Sequence, residues 1–376
     1  MAGLSQDNLL KDVFNAEVVR ALSDRIGRAY PAWQASQFER ETLVAFPELS
    51  FMQRSHHLCE MLHRHLPTDP RRSIPILVKT LGPVIEPGVT VWENFHIIAL
   101  CEFVSRYGHD HFDLSMGALY EMTRRFSAEG SLRTFLEVDY ERCMQKLNAW
   151  VADPDPHVRR LVSEGTRSRL PMTGRIKRFQ ENPRPVIALL EKLKDDSELY
   201  VRRSVANNIN DIAKDNPDVA LATLRKWARM RSPRVQWVVR HAARSLIKQG
   251  HPEILEILGA PSDIRIELSD LRLKPKLKSY RIGNTVELGF QLRLREKKAA
   301  RVIVDYVMHY QKANGKQSEK VFKLRDWQLQ PGEQRAVIRK HALRNTSGRT
   351  HYPGAHRLEL QINGKRYGSI EFQLKS

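Results

Sequence analysis

Two short segments hold the residues whose types and spacing could do chemistry. Val158-Arg159-Arg160 returns as Val201-Arg202-Arg203 after 43 positions, each time opening a run with helical apolar spacing. Arg160 and Glu164 stand four apart in the first run, and Arg203, Asn207 and Asp211 climb by the same step in the second, so each set projects from one helical face. Adjacent helices would therefore present cations and carboxylates side by side. The acids then serve either as structural partners of the arginines or as functional carboxylates, and the spacing leaves both readings open. Arg159, Arg160, Arg202 and Arg203, with Arg167, Arg169 and Lys214, are placed to neutralise phosphates, because stacked helices set equivalent positions in rows. Asn207 and Asn208 either hold the same backbone or anchor neighbouring helices.

The elements that must position these residues follow from the apolar pattern. Helices are expected over 12–26, 51–66, 92–107, 131–152, 186–193, 201–214, 219–230 and 235–248, separated by polar, Pro or Gly breaks. Val238-Val239-Arg240 is a degenerate third copy of the repeat. A period near 40 built from helix pairs indicates HEAT or armadillo-type stacking, in which each pair buries its apolar face only against its neighbours. The expected fold class is an all-α HEAT-like repeat solenoid whose concave face is the binding surface.

After Gly259-Ala260-Pro261 the period becomes two. Val286, Leu288, Phe290, Leu292 and Leu294 alternate with polar residues, as do Val302 to Tyr310 and Leu358 to Ile362. Asn314-Gly315 and Asn363-Gly364 are hairpin dipeptides. About seven strands make an all-β immunoglobulin-like sandwich, so the domains are expected at 1–259 and 262–376. The chain carries a net +19, and residues 262–376 hold +14 of it, with 25 Lys+Arg against 11 Asp+Glu. An excess of that size on a folded segment favours a polyanion, nucleic acid before an anionic membrane. Cys59, Cys101 and Cys143 are widely spaced without a Cys-x-x-Cys pair, which implies a reducing compartment and argues against a thiolate zinc site. No leader or membrane-spanning run is recognisable, and a cytoplasmic protein is expected. His109-Asp110-His111 with Asp113 has ligand types in a loop, but no metal and no cofactor are expected.

Three motifs then make a specific resemblance. Arg125-Phe126-Ser127-Ala128-Glu129, the His157–Pro171 segment and the Tyr200–Lys214 segment, in that order, resemble the AlkC branch of the DNA alkylation-repair glycosylases, relatives of AlkD built from HEAT-like repeats. The similarity spans 5–250, and some members of that branch carry a C-terminal immunoglobulin-like domain. The resemblance implies a monomer that acts on double-stranded DNA and hydrolyses the N-glycosidic bond of N3-alkylated bases such as 3-methyladenine and 3-methylcytosine, without flipping the base. Glu129, Glu164 and Asp211 match the family's acids. An N3-alkylated base is already cationic and leaves without protonation, so the site must steady the positive charge growing on the sugar and position a water, and carboxylates do both. Gly130 and Met172 depart from the pattern, standing where the family has aromatic residues. They motivate an alternative, a non-catalytic binder of damaged or structured DNA.

Overall fold

The computed structural model describes residues 10–346 and 348–376. Two compact units divide the chain: the first runs to Ala220 and adds Ser232–Ala242, and the second takes Leu221–Arg231 and Ala243–Ser376. Among the described residues sixteen α-helices precede the strands. They are α1 (Ala16–Ala29), α2 (Ala35–Ala45), α3 (Phe51–His65), α4 (Pro70–Lys79), α5 (Ile97–Tyr107), α6 (Phe112–Thr123), α7 (Glu129–Val138) and α8 (Tyr140–Trp150). Then come α9 (Pro156–Gly165), α10 (Lys177–Glu181), α11 (Arg184–Leu193), α12 (Leu199–Asp215), α13 (Pro217–Ala228), α14 (Pro233–Ala242), α15 (Arg244–Lys248) and α16 (Pro252–Ile257).

In the first unit the repeated arginine segments become α9 and α12, which pack against each other, and α14 packs on the far side of α12. Val158, Leu161 and Val162 of α9 and Val201, Val205 and Ile209 of α12 are wholly buried, so the shared spacing is a shared buried face. Each element has a local reason to start where it does. Asp155 caps α9 through the His157 amide at 2.9 Å, and Pro156 occupies its first turn, where a missing N–H costs nothing.

The sequence pattern read 131–152 as one helix, and the structure breaks it at Asp139. That residue ends α7 and caps α8, its side chain accepting from the Arg142 amide. The break turns α8 away and leaves α7 free to lie across α5 and α9. The helix expected over 92–107 is likewise a 3-10 turn, Trp92–His96, followed by α5.

The second unit contains the sandwich. A three-stranded sheet has the order β1 (Ile266–Lys274), β3 (Thr285–Leu294), β6 (Gln334–Ala342). A five-stranded sheet has the order β2 (Ser279–Arg281), β8 (Lys365–Lys375), β7 (Gly354–Ile362), β4 (Ala300–Gln311), β5 (Gln317–Leu329). The alternating residues of β3, β4 and β7 fill the space between the sheets, as their period requires. Asn363 and Gly364 both take positive φ in the β7–β8 hairpin, and a Cβ at Gly364 would come within 2.8 Å of the Gly250 backbone. The helices α15 and α16 belong to this unit: Gln361 donates to the Lys248 carbonyl and Arg301 to the Leu258 carbonyl.

Candidate active site

Three helices of the first unit bring the acids together. Glu129 opens α7, Glu164 lies in the last turn of α9, and Asp211 sits in the second half of α12. Arginines bridge them. Arg160 Nη1 donates to Glu129 Oε2 at 3.2 Å and to Ser127 Oγ at 2.9 Å, while its Nη2 lies 3.8 Å from Glu164 Oε1. Arg167 Nη1 donates to that same Oε1 at 2.6 Å, and its Nε to Asp211 Oδ2 at 2.8 Å. Lys214 closes the series on Asp211 Oδ1 at 2.8 Å. The result is an alternating chain, Glu129–Arg160–Glu164–Arg167–Asp211–Lys214, and of its three acids Glu129, at one end, is the open one. Its side chain is 24% exposed, against 8% for Glu164 and 2% for Asp211. Among the described residues Glu129 Oε1 has no hydrogen-bond partner.

The electrostatics follow from burial among opposite charges. Burial by itself would lower the pKa of Arg160, but the charges of Glu129, Tyr200 and Glu164 outweigh it and the net shift is upward. Arg167 is raised in the same way by Glu164 and Asp211. Both guanidinium groups are thus held as permanent cations, and the Tyr200 ring lies 4.9 Å under Arg160 as a cation–π support.

Small polar residues make the seam between α9 and α12. Asn208 Nδ2 donates to the Ser163 carbonyl at 2.8 Å and to Thr166 Oγ1 at 3.1 Å. Ser163 Oγ meets Ser204 Oγ at 2.7 Å, and Ser204 donates to Glu164 Oε2, also at 2.7 Å. Of the two roles open to Asn208, this geometry is that of a helix anchor. The residue is completely buried and spends its amide on the facing helix.

Comparison with known proteins fits this arrangement. The family model for the C-terminal Ig-like domain of the uncharacterised protein YhaZ matches residues 267–376. The uncharacterized protein YhaZ of Bacillus subtilis (strain 168) is 32% identical over 366 residues, covering 97% of this chain and 99% of its own. The solved structure of the Pseudomonas fluorescens alkylpurine DNA glycosylase AlkC, bound to DNA containing an abasic-site analogue, aligns at 36% identity and a TM-score of 0.91 over 98% of this chain and 100% of that one. The chain belongs to the AlkC branch of the DNA alkylation-repair glycosylases.

Within this AlkC-branch chain most of the arginines expected at phosphates already have partners. Arg159 makes a two-pronged pair with Asp196 at 2.6 and 3.0 Å and also donates to the Asp153 and Pro154 carbonyls. Arg169 pairs with Asp215 in the same manner, and Arg202 donates to the Asp196 and Ser197 carbonyls. Arg159 and Arg169 fasten one helix pair to the next, and Arg202 holds the loop that enters its own helix. Arg203 is exposed on α12, and Asn207, one position before the buried Asn208, is half-buried.

Three further residues shape the site without having stood out in the sequence. Buried Arg133 of α7 donates to the Arg167 and Gly174 carbonyls and so holds the loop that follows α9. Tyr200 and Ser204 act through Arg160 and Glu164. Arg133 lies outside the motifs, and Tyr200 and Ser204 fall inside the third, but each works across helices and no same-helix spacing marks it. The cations Arg175, Lys177 and Arg178 are exposed on that loop and α10, and the sequence reading passed over them.

The two departures from the family's aromatic pattern are neighbours in space. A Cβ at exposed Gly130 would meet only Thr173 Cγ2, at 3.8 Å, and Thr173 follows Met172. Met172 itself is 68% exposed with φ of 63°, a left-handed conformation that costs an ordinary side chain energy. The flank beside Glu129 is therefore open, with a flexible thioether at its edge.

Proposed function

We propose that the chain is a DNA glycosylase that excises N3-alkylated bases, 3-methyladenine and 3-methylcytosine, from double-stranded DNA as a monomer. The observation that carries this reading is the unpartnered Glu129 Oε1 at the acid end of a buried acid–arginine chain. An N3-alkylated base carries its positive charge before the bond breaks, and the electron pair of the N-glycosidic bond neutralises it as it leaves. No proton donor is needed. The positive charge passes to the deoxyribose, where the carboxylates lower its energy. Glu164 and Asp211 are held by fixed partners and supply field rather than contact. Glu129 has an oxygen to spare: it accepts a hydrogen bond from water, the water oxygen bonds to the sugar carbon, and the released proton goes to the Glu129 carboxylate.

Attack on a base still stacked in the duplex is supported by the position of half-buried Glu129 at the helix start beside exposed Gly130. Phosphate contacts on this reading fall to Arg203, Arg175, Lys177 and Arg178, whose side chains face solvent.

The experiment is chromatography of bases released from N-methylated duplex DNA with protein in excess. Free 3-methyladenine and 3-methylcytosine are expected. Salt-sensitive binding with no release of either would favour the non-catalytic binder, for which open Gly130 and Met172 speak.

A further inference from the structure

We infer that Ser204 is a positioning residue for the acid site, pinning the Glu164 carboxylate in the one orientation that lets it hold both arginines. The inference rests on the proposed glycosylase reading for its rate consequences but not for its geometry. Glu164 is the hub of the charged chain: Arg160, which holds Glu129, and Arg167, which holds Asp211, converge on its Oε1. Both outer acids therefore depend on which way the Glu164 carboxylate faces. Rotation about its last torsion would exchange the two oxygens, and that torsion is soft.

The other oxygen decides the matter. Glu164 Oε2 has one partner, the Ser204 hydroxyl at 2.7 Å, and the contact lies wholly in the α9–α12 seam. An ionised carboxylate can only accept, so the Ser204 proton is committed to Oε2. The Ser204 oxygen then accepts from Ser163 Oγ at 2.7 Å, so the donors run Ser163 to Ser204 to Glu164, with the Arg160 carbonyl at 3.0 Å a second, longer acceptor for the Ser163 proton. Aligned hydroxyls polarise one another, which strengthens the terminal bond in a site closed to water. Ser163 is fully buried and Ser204 is 2% exposed. Ser204 is also an unusual helical serine, because a mid-helix hydroxyl commonly turns back to the carbonyl one turn earlier. Here it reaches across to another helix instead. Alanine at 204 would leave Oε2 buried without a donor, and the carboxylate would turn to share both oxygens with the arginines, drawing Arg160 away from Glu129.

The test uses the full chain with Ser204→Ala, Ser204→Thr and Ser163→Ala. Single-turnover release from a 3-methyladenine duplex is measured beside affinity for a duplex with an abasic-site analogue and beside the melting transition. Ser204→Ala should lower the single-turnover rate at least tenfold with affinity within twofold of the parent. Ser204→Thr, which keeps the donor, should recover to within threefold, and Ser163→Ala should fall between. Equal losses in Ser204→Ala and Ser204→Thr, or a Ser204→Ala rate within twofold of the parent, overturn the inference. Crystal structures of the parent and Ser204→Ala proteins separate the two readings. If the parent releases no base, the glycosylase reading fails, and pinning is then judged on geometry alone. A Glu164 carboxylate turned from its parental plane in Ser204→Ala upholds pinning, and one that is unmoved overturns it.

Discussion

Glu129→Gln is the perturbation whose consequences separate most cleanly. The replacement keeps size and leaves an amide oxygen to accept from Arg160 Nη1, which lies 3.2 Å from the present carboxylate. The pair it weakens joins side chains that are 17% and 24% exposed, so its loss costs under about 1 kcal/mol of stability. The effect on reaction is of another order. A carboxylate about 6 Å from a developing unit charge, at an effective dielectric of about 20, contributes roughly 3 kcal/mol. That corresponds to on the order of a hundredfold in rate. Loss of the group that takes the water proton adds a factor of about a hundred or more. Single-turnover release should therefore fall at least a hundredfold while affinity for an abasic-analogue duplex and the melting midpoint stay close to the parent. A fall of less than fivefold, or a fall matched by equal loss of affinity, would refute the assignment of Glu129 as the open acid.

Other perturbations read different parts of the structure. Arg203→Ala should reduce the slope of log affinity against log salt by ~0.9, one phosphate's worth, whereas Arg159→Ala should leave the slope unchanged and lower stability by ~3 kcal/mol in urea by stranding Asp196. In the sandwich, burial pushes His341 down to about 4, with help from Arg349 and His351, and burial also lowers His351 and His356. Their folded forms are neutral, so stability is full above the ordinary histidine pKa of about 6.5 and is lost as pH falls from there toward 4. Chemical denaturation from pH 7 to 4 should show that loss, with His341 responsible for ~3 kcal/mol and His341→Phe flattening the curve. Asp305 runs the other way. Burial raises it to about 7 against the partial opposition of Lys323 and Lys248, so stability is lost as pH rises from about 4 through 7. Asp305→Asn should then be more stable at pH 8 by up to ~4 kcal/mol, and an unchanged denaturation midpoint there would contradict the burial argument.

Much of this architecture is written in local pattern, and the limits of that pattern are physical. The 43-residue return of Val-Arg-Arg marked two stacked helices because burial imposes one spacing on both, and Val158 and Val201 are indeed equally buried. Alternation did the same for β3, β4 and β7, and the Asn-Gly dipeptide for the β7–β8 turn. Ion pairing obeyed a longer rule. Helical spacing suggested Arg160 with Glu164, and that pair exists at 3.8 Å, but the shorter bond to Glu164 comes from Arg167. Arg159, Arg167 and Arg169 find acids 37, 44 and 46 positions away, about one repeat on, where no same-helix rule can point. Asn208 is a like case. Its type suits a phosphate or a helix seam equally, and only the approach of α9 decides. The break at Asp139 escaped because apolar spacing runs through it unbroken, and a single capping carboxylate outweighed the period.

The central claim, that an acid site with an open Glu129 hydrolyses an N-glycosidic bond, is tested most directly on a duplex with one 3-methyladenine at a known position. With protein in excess, the account predicts one free base released per duplex, leaving an abasic strand that stays intact until alkali cleaves it. Tight binding of that duplex with the base still attached at the end of the incubation would contradict it.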